Sequence, residues 1–213
     1  MQRDQHASLG DCGINIGAGR TYIPSLINID FAPYADISLD LNKDRLPFED
    51  NSINLVFSYH TLEHLDNYLF AMAEIHRVMK HGGRLLVGVP YITLTQYNLV
   101  NPYHRQNFNE YSFDFFDPKL LLGSAAEQAG PMFRKVFHRF HYLPELNNKS
   151  ERRKEWCRRH LFNVVQKIDF GLIALKQGWP DIEVDDAMPA QFLEEFEKLL
   201  RSRKKYSCHS ATG

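Results

Sequence analysis

Cysteine is scarce in this sequence of 213 residues, and the three that occur, Cys12, Cys157 and Cys208, are scattered and lack C-x-x-C spacing. A disulfide framework needs a denser, even set and a thiolate zinc site needs paired cysteines, so neither is indicated. Long hydrophobic runs are also missing. No stretch approaches the roughly 20 apolar residues of a membrane span, and the N-terminal MQRDQHASLG has no apolar secretory region. We therefore expect a cytoplasmic protein without a membrane span.

No charge of one sign dominates the composition. The chain has 25 basic and 26 acidic side chains, so its overall charge gives no reason to expect nucleic acid or an anionic membrane as a partner. A chain with 44% hydrophobic and 24% charged residues is able to bury one substantial core. Because no internal repeat or low-complexity linker divides it, we predict a single domain over residues 1–213, and its oligomeric state stays open.

Four short apolar runs in the first 58 residues predict strands of a buried sheet. In chain order they are INI followed by Gly17 and Gly19, INID ending at Asp30, DISLD ending at Asp40, and INLVFS ending at Ser58. We expect all four to be interior strands. A helix over 66–80, stopped by the glycines of HGG, precedes a fifth strand over 84–90. This alternation predicts an α/β, doubly wound parallel sheet with its ligand crevice at the carboxyl ends of the strands.

The second half of the chain predicts a hairpin interrupted by a helix. The stretch MFRKVFHRFHYL, from Met132, alternates like a strand, and IDFGLIALKQ, from Ile168, is its expected partner. Between them, residues 143–167 are too many for a hairpin turn and predict a helical insertion. We also predict a helix over 111–128 and a C-terminal helix over 189–201, followed by a frayed tail.

The insertion carries a cluster of basic residues. They are Arg152, Arg153, Lys154, Arg158 and Arg159. Such a cluster can form a patch that binds anions or nucleic acid, but on an amphipathic helix it is more often the solvated face beside a packed stripe. We therefore predict a solvated helix face.

The segment HTLEH contains His60, Glu63 and His64 in the order H-x-x-E-H, a zinc-ligand pattern of one class of metalloproteases. That site needs both histidines one turn apart inside a helix and a further carboxylate ligand, for which Glu145 lies at a suitable distance along the chain. Here the motif begins in a strand-to-helix turn, directly after the strand INLVFS. We therefore keep a zinc hydrolase only as an alternative and predict no metal ligands.

The two-glycine turn and Asp30 bear on the choice of cofactor. Glycine adopts backbone angles closed to other residues and lets the chain approach a ligand closely. A carboxylate at the end of the second strand can accept hydrogen bonds from both hydroxyls of a ribose. A nicotinamide-binding fold needs G-x-G-x-x-G and an acid about 20 residues further on. Arg20, Thr21 and Tyr22 follow Gly19 here and Asp30 comes too early, so we exclude NAD.

Residues 13–90 resemble the class I S-adenosylmethionine-dependent methyltransferases, in particular a small group with an L-E-H signature after the fourth strand. The resemblance is carried by INIGAG, INIDFAP, the stretch from DISLDL to HTLEHL, and EIHRVMKHGGRLLVGVP, which stand in the family's order and spacing. It implies a Rossmann-like, seven-stranded sheet of five parallel strands and a terminal antiparallel hairpin, with helices on both faces. It also implies S-adenosyl-L-methionine as the cofactor, bound across the ends of strands one to four.

The resemblance further implies a set of cofactor-binding residues. They are Asn15, Gly17, Gly19, Asp30, Asp40, Leu41 and Ser58. Asp30 would bind the ribose, and Asp40 and Leu41 match the pair that contacts the adenine. Asn15 stands where many members have an aspartate that reaches the cofactor's amino group, and its side-chain carbonyl can accept the same hydrogen bond. Only seven residues separate Gly19 from the next strand, so the usual first helix is nearly absent.

Two histidines are candidates for the chemistry. Methyl transfer to a hydroxyl requires alignment of the acceptor and removal of its proton, and imidazole titrates near neutral pH. His60 follows the fourth strand and should point at the crevice, whereas Glu63 and His64 are better placed to brace the turn. His104 lies in HRQNF, within a loop over 91–110 that we expect to cover the active-site edge.

These patterns together predict methyl transfer, without a metal, to a small-molecule acceptor, such as the hydroxyl of a sugar or secondary metabolite. The loop 91–110 and the insertion 143–167 are expected to recognise that acceptor. The alternative from another class is a module that keeps the cofactor fold without turnover, or an interaction protein.

Overall fold

The computed structural model describes residues 13–120 and 130–206. Its strands are β1 (Gly13–Ile16), β2 (Thr21–Tyr22), β3 (Ile27–Asp30), β4 (Ile37–Ser38), β5 (Ile53–Tyr59), β6 (Met79–Pro90), β7 (Met132–Tyr142), β8 (Val165–Leu175) and β9 (Lys204–Lys205). Its α-helices are α1 (Tyr68–Val78), α2 (Glu151–His160) and α3 (Met188–Ser202). Among the described residues, no helix is long and apolar enough to cross a membrane.

Seven of these strands form one sheet in the order β4-β3-β1-β5-β6-β8-β7. The neighbours from β4 to β6 run parallel, which gives five parallel strands. The strand β8 runs antiparallel to both β6 and β7, so the last two strands form a terminal hairpin. The predicted seven-stranded α/β sheet is therefore confirmed.

Helices pack on both faces of the sheet, because side chains along each strand alternate between the two faces. In β5, Val56 belongs to a buried cluster that includes Met72 and Ile75 of α1. Its neighbour Phe57 belongs to a second cluster and packs against Phe196 of α3, with 5.4 Å between the ring centroids. This is the predicted two-faced arrangement. It sets the carboxyl ends of the parallel strands along one edge, where ligands bind in such sheets.

The strand β4 differs from the prediction of four interior strands. It has two residues and lies at the edge of the sheet, next to β3. The polar residues of its segment explain the difference. The Asp40 carboxylate accepts hydrogen bonds from the backbone and side-chain amides of Asn42, at 3.0 and 3.1 Å, and so stabilises a turn soon after the strand. An edge position tolerates a short, polar strand because one of its sides needs no partner.

The helix α1 is shorter than predicted. It ends at Val78 and β6 begins at the next residue, so the HGG glycines lie inside β6 rather than at a helix end. Met79 pairs with Ile53 of β5, and the register then shifts before Arg84 pairs with Leu55. The pairing of Met79 in the sheet ends the helix before the glycines are reached.

The helix predicted over 111–128 is not formed in its described part. Residues 111–120 contain turns and a 3₁₀ helix at Asp114–Phe116, and residues 121–129 lie outside the described residues. Asp117 accepts two hydrogen bonds, both 3.2 Å, from the guanidinium of Arg134 in β7. This buried tertiary contact outweighs the helical pattern of the segment.

The sequence predicted a frayed tail after the C-terminal helix, but the chain after α3 is ordered up to Tyr206. The strand β9 pairs antiparallel with β2, which takes the place of the first crossover helix. The ring of Tyr206 lies 4.9 Å from the rings of both Tyr22 and Tyr34. The short crossover therefore presents an open strand edge that the end of the chain covers; residues 207–213 lie outside the described residues.

The helix α2 lies within the predicted insertion, and two of its basic residues face protein carboxylates. Arg158 forms an ion pair with the buried Glu110. Lys154 forms an ion pair with Glu151 at 2.8 Å. Ser150 begins the helix, because its hydroxyl accepts a hydrogen bond from the backbone amide of the third helical residue. The contact of Arg158 with Glu110 packs one side of α2 on the protein, while Arg152, Arg153 and Arg159 are exposed, which fits the predicted solvated helix face beside a packed stripe.

Candidate active site

The carboxyl ends of β1, β3 and β5 border a cavity of about 550 Å³, which we call the first cavity. Five of the seven predicted cofactor residues line it. They are Gly17, Gly19, Asp30, Asp40 and Leu41. The strand order explains this grouping, because β3 and β5 flank β1 and the loops after all three meet at the same edge.

The turn after β1 depends on its two glycines. Gly17 and Gly19 have φ angles of 65° and 59°, in the left-handed region that other residues rarely adopt. A Cβ at Gly17 would lie 2.1 Å from the side chain of Thr61, whose hydroxyl donates to the Gly17 carbonyl at 3.2 Å. A Cβ at Gly19 would meet nothing within 4 Å. Gly17 therefore lets the turn after β5 pack closely, while Gly19 borders open space in the first cavity.

Asp30 supports this turn from the end of β3. Its two carboxylate oxygens accept hydrogen bonds from the backbone amides of Gly19 and Ala32, at 2.8 and 3.0 Å. Each oxygen keeps a further lone pair, and the residue lines the first cavity. Asp30 thus holds the glycine turn in place and still offers acceptors to hydroxyl groups of a ligand.

The turn after β4 forms another part of the wall. The hydrogen bond from the backbone amide of Asn42 lowers the pKa of Asp40, and although partial burial opposes it, the Asn42 side chain and Lys43 lower the pKa further. Asp40 is therefore ionised at neutral pH. Leu41 beside it is buried and supplies an apolar surface.

Sequence reasoning missed the aromatic residues of the first cavity. Phe31 and Tyr34 line it, and the Phe31 side chain is 81% exposed. An exposed phenylalanine at a cavity is a flat apolar surface on which a ring can stack. Their position in the sequence could have indicated this, because they follow Asp30, where the chain leaves the sheet at the carboxyl end of β3.

Two predicted cofactor residues do not line the first cavity. Asn15 lies within β1, where its side-chain amide donates to the side-chain oxygen Oδ1 of Asn28 in the neighbouring strand β3, at 2.9 Å. Ser58 lies within β5 and is fully buried, and its hydroxyl has no hydrogen-bond partner among the described residues. The reason is geometric, because side chains inside a strand point onto the faces of the sheet rather than past its end.

The HTLEH segment forms a tight turn rather than a helix with two metal-binding histidines. His60 has a φ of 56°, and its backbone amide donates to the Gly88 carbonyl at 2.8 Å. Leu62–His64 is a single 3₁₀ turn. Nδ1 of His60 lies 3.1 Å from Oε1 of Glu63, which is 1% exposed. The expected strand-to-helix turn is confirmed, and the helical zinc pattern behind the hydrolase alternative is absent from these residues.

The contact between His60 and Glu63 determines which ring nitrogen of the His60 imidazole carries the hydrogen. A carboxylate only accepts hydrogen bonds, so Nδ1 carries the hydrogen and Nε2 keeps its lone pair. An imidazole oriented by a carboxylate in this way is the usual arrangement of a general base. The sequence predicted a base at His60 and, for Glu63, a role in bracing the turn; the side chains of the two residues are in contact, and both roles stay predictions.

A second cavity of about 800 Å³ lies beside the first, and His60 and His64 line both. Its other walls come from the loop 91–110 and the insertion 143–167, which were predicted to recognise the acceptor. The polar residues among them are Thr95, Gln96, Tyr97, Asn101, His104, Asn163, Gln166 and Lys167. This cavity is therefore rich in side chains that donate and accept hydrogen bonds.

The walls of the second cavity are tied to the HTLEH turn and to each other. The backbone amides of Arg105 and Gln106 donate to the Glu63 carbonyl, at 2.7 and 3.1 Å. The backbone amide and hydroxyl of Thr95 both donate to the side-chain oxygen of Asn163, each at 2.8 Å. The loop is thus fastened to the HTLEH turn and to the insertion.

His104 lies in the second cavity only, at the side of His64. Its Nδ1 is 2.7 Å from the side-chain oxygen of Asn98, and its ring centroid is 4.7 Å from that of His64. Burial, together with the neighbouring His64, lowers the pKa of His104. Glu63, His64 and His104 each bring one side-chain ligand atom within 4.8 Å of the others, and theirs is the one group of this kind in the part of the chain that the structure describes.

Comparison with known proteins agrees with this geometry. A family model described as "Methyltransferase domain" matches residues 24–87. An S-adenosylmethionine-dependent methyltransferase of Archaeoglobus fulgidus has the same fold, with a TM-score of 0.54, 18% sequence identity, and coverage of 77% of this chain and 86% of that one. Taken with the seven-stranded sheet, these findings show the fold of the class I S-adenosylmethionine-dependent methyltransferases, and residues 24–87 match the methyltransferase domain family. The cofactor that this family implies is S-adenosyl-L-methionine.

Two relatives match by sequence. An uncharacterized protein of Methanocaldococcus jannaschii is 38% identical over 92 residues, which cover 37% of this chain and 39% of that protein. The ubiquinone/menaquinone biosynthesis C-methyltransferase UbiE of Hydrogenovibrio crunogenus is 26% identical over 174 residues, which cover 81% of this chain and 61% of that protein. The chain thus spans less than two-thirds of either relative.

Proposed function

We propose that this protein transfers a methyl group from S-adenosylmethionine to a hydroxyl of a small polyhydroxylated acceptor, such as a sugar or secondary metabolite. The observation that carries the proposal is the position of His60, which lines both cavities. A residue there can act on an acceptor in the second cavity next to a cofactor in the first.

The residues of the first cavity fit the cofactor. Open space lies beside Gly19, because a Cβ built there would meet nothing within 4 Å. This space suits the methionine part of S-adenosylmethionine. The spare lone pairs of Asp30 suit the ribose hydroxyls. Leu41 and the exposed ring of Phe31 suit the two faces of an adenine, and this assignment adds Phe31 to the predicted set. When bound, S-adenosylmethionine supplies a methyl group that is already activated by a sulfonium centre.

The chain's own part in the reaction is to hold the acceptor and take its proton. Because Nδ1 of His60 donates to Glu63, Nε2 is the nitrogen that accepts the hydroxyl proton. The buried carboxylate of Glu63 stabilises the imidazolium that forms and keeps the ring in one orientation. His60 is therefore the proposed catalytic residue, and Glu63 positions it.

The lining of the second cavity favours a hydroxyl acceptor. Its amide and hydroxyl side chains match the hydrogen-bonding groups of a polyol, and Lys167 adds a positive charge that lies 4.9 Å from the centroid of the Tyr59 ring. The relative UbiE is named a C-methyltransferase of quinone biosynthesis, so carbon methylation is the second candidate. An aromatic carbon acceptor would leave most of these polar groups without partners, which costs binding energy.

The test is incubation of the protein with a metabolite extract and S-adenosylmethionine that carries a labelled methyl group, followed by mass spectrometry. We expect a labelled product whose fragments place the methyl on oxygen. A label on carbon would favour the second candidate. Cofactor binding without any labelled product, across extracts rich in sugars and secondary metabolites, would point to a binding module and contradict the proposal.

A further inference from the structure

Glu63, His64 and His104 form a group whose ligand atoms lie within 4.8 Å of one another. The first two belong to the 3₁₀ turn after β5, and His104 comes from the loop 91–110. All three line the second cavity, and His64 also lines the first. Two imidazoles and one carboxylate are a common ligand set of metal sites that keep a position open for substrate.

The hydrogen bonds of the two histidines fix the nitrogen that remains available. Nδ1 of His64 lies 3.1 Å from the Tyr103 carbonyl oxygen, which can only accept, so Nδ1 carries the hydrogen. Nδ1 of His104 lies 2.7 Å from the side-chain oxygen of Asn98, whose amide group donates to the side-chain oxygen of Asn107 at 3.1 Å. In both rings Nε2 therefore keeps its lone pair. Metal-binding histidines show the same pattern, with the other ring nitrogen donating to an oxygen.

The carboxylate of Glu63 has unused capacity to bind a cation. It is 1% exposed, and the described residues within ion-pair distance of it are His60 and His64. Its Oε2 has no hydrogen-bond partner among the described residues. Buried carboxylates are normally paired with a cation or coordinate a metal, because an isolated buried charge is costly.

We propose that Glu63, His64 and His104 bind a divalent transition-metal ion, for which Zn²⁺ is the best match, at the wall between the two cavities. Imidazole and carboxylate ligands select such ions over Mg²⁺ or Ca²⁺, which prefer oxygen alone. Ligand atoms about 2.1 Å from a shared ion stand about 3.4 Å apart, so the three groups, whose ligand atoms lie within 4.8 Å of one another, would have to draw closer together on binding. This ion would replace the metal-free site expected from the sequence.

The role of the ion rests on the proposed function. Three protein ligands leave a coordination position for an oxygen of the acceptor, and a bound metal lowers the pKa of such a hydroxyl. His60, whose Nδ1 contacts the same Glu63 carboxylate, would then accept the proton of that hydroxyl at Nε2. Metal and base would therefore act on one acceptor oxygen.

The test is titration of metal-free protein with Co²⁺, monitored by the visible absorption of the bound ion, with zinc content measured by elemental analysis. We expect one ion per chain, and a loss of at least about 100-fold in affinity for His104→Ala. His104→Gln, which keeps a polar side chain, should lose affinity to a similar extent, and thermal unfolding without metal checks that both variants are folded. His160→Ala is the matched control, because this exposed histidine of α2 lies outside the group, and it should bind Co²⁺ like the parent.

Absence of binding in the parent, or equal binding in folded His104→Ala and His104→Gln, would overturn the site. Calorimetry with S-adenosylhomocysteine on the same preparations separates this result from failure of the proposed function. Protein that binds the nucleoside but not Co²⁺ rejects the metal site alone. Protein that binds Co²⁺ through His104 but no nucleoside supports the metal site and contradicts the methyltransferase proposal.

Discussion

One backbone contact and one side-chain contact hold His60 in place. Its φ of 56° is uncommon for a residue other than glycine, and strain of this kind, about 1–2 kcal/mol, is often found at functional sites. The backbone bond to Gly88 and the side-chain contact with Glu63 keep the residue in this conformation. The ring is therefore fixed at the wall that both cavities share.

Replacement of His60 by alanine should lower kcat by about 10²–10⁴, because the acceptor would lose the general base that we propose. Affinity for S-adenosylhomocysteine should stay close to that of the parent. Initial rates and calorimetry measure the two quantities, with His160→Ala as the matched control. Parental activity in His60→Ala would remove this residue from the chemistry, and a parallel loss of nucleoside affinity would assign it to the first cavity.

Replacement of Asp30 by alanine should weaken S-adenosylhomocysteine binding by about 1.5–3 kcal/mol, the scale of hydrogen bonds to a charged group. Asp30→Asn keeps the shape and one acceptor oxygen, so it should lose less. Calorimetry measures both affinities, and chemical denaturation reports how much of the loss comes from the broken contacts to Gly19 and Ala32. Unchanged affinity in a folded Asp30→Ala protein would show that the ribose is placed wrongly.

At the scale of elements, the two glycines of the turn after β1 are needed for different reasons: Gly17 for a close contact with Thr61, and Gly19 for its backbone conformation. Gly17→Ala should destabilise the fold by at least about 2 kcal/mol, because its Cβ would overlap Thr61 in addition to the cost of the positive φ. Gly19→Ala should cost only about 1 kcal/mol, since a Cβ there meets nothing. Urea denaturation compares the two variants. Equal losses would mean that the contact between the two turns contributes little.

The hairpin of β7 and β8 contains a buried ionic network centred on Asp169. Burial alone would raise its pKa, but the hydrogen bond from His141 and the charge of Lys167, with help from Arg139, hold the pKa of Asp169 below its usual value. A carboxyl whose folded pKa is lower than its unfolded value of about 3.9 stabilises the protein above that pH. This stabilisation is lost as the pH falls through the lower, folded pKa.

Asp169→Asn should therefore destabilise the protein at neutral pH by about 3 kcal/mol, since it leaves the positive partners without their counter-charge. The difference from the parent should shrink as the pH is lowered below about 4, where the parent carboxyl also becomes neutral. Denaturation at a series of pH values measures this difference. A gap that is constant down to strongly acidic pH would show that the charge of Asp169 does not stabilise the hairpin.

The elements differ in how far sequence predicts them. Buried strands such as β5 and β8 were predicted because their apolar runs are bounded by polar residues, and residues at strand ends, such as Asp30, could be placed at the ligand edge. Asn15 and Ser58 do not line the first cavity, because their position inside a strand, rather than at its end, turns them onto a sheet face. The pairing of β9 with β2 and the approach of His104 to Glu63 join segments far apart in the chain, and no local pattern encodes such contacts.

At the scale of the whole molecule, the sheet order brings two cavities to the same edge. The first is built by the loops after β1, β3, β4 and β5, and the second is closed by the loop 91–110 and the insertion between β7 and β8. The part of the chain that forms the first cavity overlaps the residues matched by the family model, 24–87. The walls of the second cavity fall largely outside that match, so the acceptor is expected to differ among relatives.

Calorimetric titration with S-adenosylhomocysteine, and in parallel with NAD, tests most directly that the first cavity holds the methyl-donor nucleoside. We predict a dissociation constant in the micromolar range, about −8 kcal/mol, for S-adenosylhomocysteine, and no heat from NAD, because the turn with Gly17 and Gly19 lacks the third glycine of a dinucleotide site and Asp30 lies too close to it. Heat from NAD with none from S-adenosylhomocysteine would contradict this assignment of the cavity.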